Sequence, residues 1–383
     1  MMLVWTLFIT FSSNAQNWVQ TSAPNMNWKA VVSSANGTQL VAANANGSIW
    51  ISTNSGTDWA QSAAPSYDWT GLASSANGSK LVAVTLTTHP DSYDGLVYIS
   101  TNSGLTWATT TAPPTAWECV CSSTDGSRLA AGAEGPSIYL STNSGASWTL
   151  ANVGGFIYWP SIACSSDGIK IIATDGHVCI SDDFFSTLTD VTTDNQAWIS
   201  ASSSSDGNKL IAVAPPSPIF GGLASGGVCI STDSGTNWIF NYDFAPSSVA
   251  SSADGIIVVA SVNGGQIYFS TNSGTTWTNS GLITSWSSVA SSADGTKLVA
   301  VANGGGIWTA QCSPHPSINI TLTKASIQLS WLLPSMDFLL QSSFDLINWS
   351  NVTNTTVLNL TNLQNCITFQ KPNNNCFYRL KSP

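Results

Sequence analysis

Ser270-Thr271-Asn272-Ser273-Gly274-Thr275-Thr276-Trp277 is one of five copies of Ser-x-Asn/Asp-x-Gly-x-x-Trp; the others run from Ser52 to Trp59, Ser100 to Trp107, Ser141 to Trp148 and Ser231 to Trp238. Working outward, an aromatic stands nine residues before the Gly of an Asn-Gly or Asp-Gly turn at Trp28/Gly37, Trp69/Gly78, Trp117/Gly126, Trp159/Gly168, Trp198/Gly207 and Trp286/Gly295, and Pro246 takes that place before Gly255. The marks recur about every 43 residues, a period that signals a repeat architecture. Between them lie four short apolar or alternating runs separated by turn dipeptides, the pattern of a four-stranded antiparallel meander.

One such sheet cannot bury both of its faces, so copies must stack, and units of this length and strand number make a β-propeller rather than a solenoid. The chain is therefore expected to be all-β, and seven phase marks predict seven blades. In each Ser-x-Asn/Asp-x-Gly-x-x-Trp turn the Asn or Asp side chain can accept from the N–H groups just after it, the Gly supplies a positive φ, and the Trp inserts between neighbouring sheets. These are scaffold roles. The motif resembles the Asp-box, or bacterial neuraminidase repeat, over roughly residues 16–310. That resemblance implies a propeller and selects no activity, because Asp-box proteins include sialidases, endoglucanases, sortilin-type receptors and photosystem II assembly-factor propellers. Blade four departs from the pattern: Ser181-Asp182-Asp183-Phe184-Phe185-Ser186-Thr187-Leu188 lacks the Gly and the Trp, which predicts a distorted turn.

The seventh unit stops after Ile307-Trp308-Thr309 without a fourth strand, whereas Trp18-Val19-Gln20-Thr21-Ser22-Ala23-Pro24 matches Trp59-Ala60-Gln61-Ser62-Ala63-Ala64-Pro65. Residues 17–22 should therefore pair with the strand near 305–310 and close the ring, removing two exposed edges. The preceding residues 1–15 read as a signal peptide, with an apolar stretch from Leu3 to Phe11 and then Ser13-Asn14-Ala15 as a small-residue cleavage site. The expected location is the extracellular space or the cell surface. No segment is long enough to span a membrane.

Composition narrows function. The chain has 10 basic and 20 acidic residues, a net charge of -10 and 17 Trp; it contains no basic run, which makes it a poor nucleic-acid binder. Five of the basic residues share one repeat position, two after the turn Gly: Lys80, Arg128, Lys170, Lys209 and Lys297. They are expected to decorate the scaffold as a solvated ring. The chain's two arginines are Arg128 and Arg379, so the three-arginine carboxylate clamp that the resemblance to sialidases would imply cannot be assembled, since Lys does not reproduce its bidentate geometry. Cys121, Cys164, Cys179 and Cys229 fall on strands at repeat positions and read as small buried apolar side chains. With His89, His177 and His315 as its histidines and no Cys-x-x-Cys, the chain is expected to bind no metal and to need no cofactor.

Function is sought in what the period leaves unexplained. Strand order puts the loops joining second to third strands, and those joining one unit to the next, at one end of the ring. Insertions fall there, at Thr85 to Gly95 and Ala214 to Gly227, as do Asp68, Asp190, Asp194, Asp243, Asp91, Asp94, Glu134 and Asp175. The repeated Trp28, Trp69, Trp117, Trp159, Trp198 and Trp286 open the innermost strands near the same mouth. Aromatic platforms, amides and carboxylates in a concavity suit a glycan, whose C–H faces stack on indole rings. The alternative is that these indoles wedge between blades and that the acids solubilise loops. Paired carboxylates for glycoside hydrolysis would come from Asp91, Asp94, Glu118 or Asp68.

After Pro314-His315-Pro316 the pattern changes: Ile318 to Leu332, Phe338 to Ser342, Thr356 to Leu360, Cys366 to Gln370 and Phe377 to Leu380 read as strands of a small β-sandwich spanning 317–383. Leu329-Ser330-Trp331, Leu340-Gln341-Ser342-Ser343, Leu346, Trp349 and Phe377-Tyr378-Arg379-Leu380 resemble a fibronectin-III-like module of secreted verrucomicrobial proteins. Cys366 and Cys376 bracket a hairpin and could be bridged. The reading favoured by the sequence is a secreted, non-enzymatic, monomeric propeller (16–312) that binds a glycan or a protein partner at its loop end. The alternatives are a glycoside hydrolase or lyase acting on polysaccharide, and a structural or adhesive envelope module.

Overall fold

The computed structural model describes residues 17–45, 47–87, 94–135, 137–151, 159–192, 196–216 and 226–312, and, toward the C-terminus, 319–322, 326–332, 339–343, 350–352, 357–359, 364–370 and 377–381. All regular structure among them is β. The chain divides into two compact units, one formed by Ala15–Cys312 and one containing Ser313–Pro383.

The larger unit is a succession of antiparallel meanders. Sheet 1 comprises Met26–Ser33, Leu40–Asn44, Ile49–Ser52 and Ala60–Gln61; sheet 2, Trp69–Ser74, Leu81–Thr85, Val97–Ser100 and Ala108–Thr109; sheet 3, Trp117–Ser122, Leu129–Ala133, Ser137–Ser141 and Thr149–Leu150. Sheet 4 comprises Ser161–Cys164, Ile171–Thr174, Val178–Ser181 and Thr189–Asp190; sheet 5, Ser200–Ser203, Leu210–Ala214, Gly227–Ser231 and Ile239–Asn241; sheet 6, Ser248–Ser251, Val258–Ser261, Ile267–Ser270 and Thr278–Asn279. In sheet 7, Thr284–Ser291, Lys297–Gly305 and Ile307–Gln311 take their fourth strand from the start of the chain: Val19 pairs with Thr309 and Gln20 with Trp308. The second strands are buried on both faces and read as continuous apolar runs, whereas the two-residue fourth strands are exposed.

The first strand of each sheet packs on that of the next, and sheet 7 returns to sheet 1. Backbone hydrogen bonds trace the same circle at the turn end: Ala35 donates to Ala76, Ala76 to Thr124, Thr124 to Ser166, Ser166 to Ser205, Ser205 to Ala253, Ala253 to Ala293 and Ala293 to Ala35, all at 2.7–2.8 Å. The basic side chains two residues after five of the turn Gly reinforce the ring. Lys80 Nζ donates to the carbonyl of Asp125 at 2.9 Å, Arg128 to that of Asp167 at 2.9 Å and Lys209 to that of Asp254 at 2.8 Å, while Lys297 Nζ reaches Ser55 Oγ at 3.0 Å. These cations are clamps between neighbouring sheets rather than the solvated decoration expected from their period.

The Ser-x-Asn/Asp turns are built from their own side chains. Ser52 Oγ donates to Asn54 Oδ1 and accepts from the Gly56 N–H at 2.9 Å, while Asn54 Oδ1 accepts from the Asp58 N–H at 2.9 Å. Positive φ falls on two successive residues, Ser55 at 59° and Gly56 at 88°. Sheet 4 keeps this geometry instead of distorting it. Phe185 N–H donates to Ser181 Oγ at 2.9 Å and Thr187 N–H to Asp183 Oδ1 at 2.8 Å, with Phe184 and Phe185 held at φ 56° and 62°. Burial of Phe185 in the core between sheets 3 and 4 offsets the cost of left-handed backbone at a bulky residue.

In the smaller unit, Asn319–Leu322, Ser326–Leu332, Gln364–Gln370 and Val357–Asn359 form one sheet, and Ser350–Asn351, Leu339–Ser343 and Phe377–Lys381 a second. Leu329, Leu340, Ile367 and Tyr378 are buried. The run from Ile318 to Leu332 is two strands rather than one, and Ser350–Asn351 adds a strand that periodicity does not mark. Cys376 lies outside the described residues, as do residues 1–15.

Candidate functional site

Because the Ser-x-Asn/Asp turn joins third to fourth strand and the Asx-Gly turn first to second, both lie at one end of the ring, and the remaining loops gather at the other. Four of those hairpins are stitched to the following sheet: Gly47 bridges Tyr67, Gly176 bridges Trp198, Asn263 pairs with Ser285, and Asn303 with Asn27. Of the two insertions, residues 88–93 and 217–225, with His89 and Asp91 among them, lie outside the described residues, and so does Asp194.

The six repeated tryptophans are wedges, which corrects their reading as a ligand platform. Trp28, Trp69, Trp117, Trp159, Trp198 and Trp286 are each at most 1% exposed. Trp117 lies among Val82, Val84 and Val97 of sheet 2 and Leu129 and Ala131 of sheet 3; Trp28 lies among Val299, Val301 and Ile307 of sheet 7 and Leu40 of sheet 1. Most also meet an aromatic on the third strand of their own sheet edge-on, as Trp69 does Tyr98 at 5.4 Å and Trp117 does Tyr139 at 5.2 Å. Where Pro246 replaces the indole, Phe244 stacks on Tyr268 at 4.2 Å instead. A ring needed to fill every inter-sheet gap has no face left for a sugar.

The candidate acids are dispersed. Asp68 lies 4.0 Å from Lys29 Nζ across the sheet 1–sheet 2 boundary, and its carbonyl accepts from the Leu86 N–H. Asp94 accepts from Thr87 Oγ1 at 3.2 Å. Glu118 is half-buried at a bulge of the first strand of sheet 3, where the register skips between Trp117 and Cys119. Asp243 is exposed just after the fourth strand of sheet 5, its N–H donating to Asn241 Oδ1 at 2.8 Å. The structure thus brings Asp68 to a lysine rather than to a second carboxylate. Elsewhere on this end, Asp190 Oδ2 lies 3.0 Å from His177 Nδ1, which also contacts the Thr192 carbonyl. Burial and a hydrogen bond with Tyr67 push the Tyr98 phenol above its ordinary range.

The residues that sequence reasoning passed over stand beside Asp243. Phe240 and Tyr242 are 39% and 46% exposed, with near-parallel rings 6.2 Å apart at 13°. Phe240 is on the fourth strand of sheet 5, whose Asn241 pairs with Val228 at the loop end, and Tyr242 follows directly after it. The signal was present: the matching strands read Ala60-Gln61, Ala108-Thr109, Thr149-Leu150, Thr189-Asp190 and Thr278-Asn279, whereas this one reads Ile239-Phe240-Asn241 and continues into Tyr242-Asp243. Phe240 also packs on the buried Trp198 at 6.3 Å, so the exposed parts of the two rings, with an amide and a carboxylate, form a strip able to stack on a flat apolar surface and hydrogen-bond its polar rim.

No protein-family model matches the chain, and no curated protein matches it in sequence. Solved structures do. YCF48 bound to D1 peptide superposes with a TM-score of 0.59 at 11% identity, covering 80% of this chain and 100% of that one. The GH74 enzyme of Niastella koreensis superposes with a TM-score of 0.61 at 15% identity, covering 88% of this chain, and the GH74 xyloglucanase of Xanthomonas campestris with 0.59 at 13%. The chain is a β-propeller. It spans the full length of the first of these relatives and about 60% of the GH74 enzymes. Identities this low carry the propeller fold and no activity. Among the described residues no group of three or more His, Cys, Asp or Glu could hold a metal ion, and there is no helix long and apolar enough to cross a membrane.

Proposed function

We propose that the protein is a secreted, non-catalytic binding protein: a seven-bladed Asp-box propeller with a fibronectin-III-like C-terminal module, recognising a glycan at its loop end. The observation that carries the site is the exposed pair Phe240 and Tyr242 beside Asn241 and Asp243. The blade count is supported by the circle of inter-sheet hydrogen bonds, the Asp-box assignment by the Ser-to-Asx contacts of the five turns, and secretion by the apolar leader. Asp243 is proposed as the flanking polar contact, whereas Asp68, Asp94 and Glu118 belong to sheets 2 and 3 and stand apart from this strip.

The test is an oligosaccharide array probed with the full chain, followed by titration of any bound sugar against Phe240→Ala/Tyr242→Ala. Loss of aromatic stacking should weaken binding at least about fivefold, at roughly 0.5–1.5 kcal/mol per ring. Affinity unchanged in the double variant would refute the site. A protein partner is the second reading, favoured by Ile239, 65% exposed on the same outer strand, and by YCF48 having been solved with a D1 peptide. Hydrolysis is the third, and polysaccharide turnover lost on Asp91→Asn or Asp94→Asn would establish it in place of simple binding.

A further inference from the structure

The fifth residue after each wedge position is Ser33, Ser74, Ser122, Cys164, Ser203, Ser251 and Ser291 in successive sheets, so one cysteine interrupts a row of serines. The residue facing it from the preceding sheet, at the fourth position, is Cys121. The ring of backbone bonds fixes which residues meet. Ser205 donates to Ala253, and three and two residues before them Ser202 and Ser251 bring their Oγ atoms to 2.8 Å. Thr124 donates to Ser166 in the same way, and three and two residues before them stand Cys121 and Cys164. The same register sets Cys121 and Cys164 against each other across the boundary between sheets 3 and 4, Cys121 within the core there and Cys164 packed on it. At the other boundaries the fourth position is Val32, Ala73, Ala163, Ala250 or Ala290, and most of the serines turn back to their own backbone, as Ser122 Oγ does to the Ser123 carbonyl at 2.9 Å.

We propose that Cys121 and Cys164 are a redox pair that closes to a disulfide between sheets 3 and 4 when the protein meets a peroxide. Cys164 is the more open of the two; Cys121 is buried, and its contact with Cys164 together with burial pushes its thiol well above the ordinary range. Oxidation therefore begins at Cys164. Its sulfur takes one peroxide oxygen as the O–O bond breaks, giving a sulfenic acid and one water. The Cys121 sulfur then attacks the Cys164 sulfur, the S–O bond breaks and a second water leaves. Two thiols and one hydrogen peroxide become one disulfide and two waters. Cys119, two residues away, is not the partner: its Sγ is engaged with the Trp159 carbonyl at 3.1 Å. This site is independent of the loop-end binding site.

The experiment treats reduced full-length protein with hydrogen peroxide and maps its peptides by mass spectrometry without reduction. A Cys121–Cys164 linked peptide is expected, two hydrogens lighter than its parts, with a thermal midpoint raised by about 5 °C and restored by dithiothreitol. Cys164→Ser reinstates the residue of the other sheets, so it should fold like the parent, as circular dichroism will verify, and lose the peroxide-induced shift. Cys119→Ala should keep it. Sulfinic acid at Cys164 with Cys121 still reduced, or a Cys119–Cys164 link, would overturn the proposal.

Discussion

The amide of Ala293 donates to the carbonyl of Ala35 across 2.7 Å, the last link in the circle of backbone bonds that joins the end of the propeller to its beginning. A second closure stands at the outer edge of sheet 7, where Val19–Gln20 pairs with Ile307–Gln311 and Trp18 lies 6.2 Å from Trp286. Inner and outer closures join the same two sheets, so each holds the other's strands at the distance it needs.

Deleting residues 16–27 removes the outer closure, Trp18, and the pairing of Asn27 with Asn303. The unpaired edge of Ile307–Gln311 and the exposed core between sheets 7 and 1 should abolish the cooperative transition. Calorimetry checks this, and a truncated chain that melts like the parent would count against closure as the source of cooperativity.

Gly37 adopts φ +65°, and a Cβ there would come within 2.7 Å of Lys297 Cδ, the side chain that clamps sheet 7 to sheet 1. Gly281 adopts φ +71° with nothing within 4 Å of a Cβ. Gly281→Ala should therefore cost only the left-handed backbone, about 1–2 kcal/mol, while Gly37→Ala adds steric overpacking of about 1–3 kcal/mol. Urea denaturation of the two variants measures the difference, and equal losses would mean that the clamp simply yields.

How much of this was legible depends on what period can encode. Ring closure by Val19–Gln20, the Asx turns and the alternation of strands follow from residues whose chemistry acts locally. The fate of Trp117 does not, because a repeated indole beside a channel mouth can face either neighbour or solvent, and only the packing of Val82, Val84 and Leu129 around it decides. Lys80 illustrates the same limit: its spacing marks a repeat role, but its bond to the Asp125 carbonyl depends on the angle between adjacent sheets. The candidate site was partly hidden for a different reason. Phe240 and Tyr242 break the pattern of their strand, so a period carried by the repeated aromatics assigns them no role.

The wedges differ in one polar atom. Trp69 Nε1 donates to the Gly47 carbonyl at 2.9 Å, whereas Trp117 Nε1 is buried with no acceptor among the described residues. Replacing either by Phe opens a similar gap, but Trp69→Phe also forfeits a hydrogen bond while Trp117→Phe removes an unsatisfied donor. Trp117→Phe should be the milder change by about 1–2 kcal/mol. Chemical denaturation of both variants tests the order, and the reverse ranking would show that cavity shape dominates.

Acid should loosen the turn end. Ser123 Oγ donates to Asp125 Oδ1 at 2.6 Å, and the same contact recurs at 2.6 Å from Ser165 to Asp167 and Ser204 to Asp206, against 2.8 and 2.9 Å where Asn36 and Asn77 take the place of the carboxylate. These hydroxyl bonds, with the N–H groups of Ser127, Ile169 and Asn208, hold all three carboxyls below their ordinary range. A carboxyl whose folded value lies below its unfolded value of about 3.9 contributes its full stability above that value and loses it as pH falls through the folded one. The thermal midpoint should then fall on acidification below about pH 4. The three groups are exposed, so solvent screening keeps each contribution small. Asp125→Asn/Asp167→Asn/Asp206→Asn retains the acceptor that Asn36 and Asn77 already supply and should make the acid limb shallower, with Asp183, Asp233 and Asp294 keeping the remainder, and change little at neutral pH. Melting curves taken between pH 2.5 and 7 decide the matter, since an acid limb as steep in the triple variant as in the parent would place the titrating groups elsewhere.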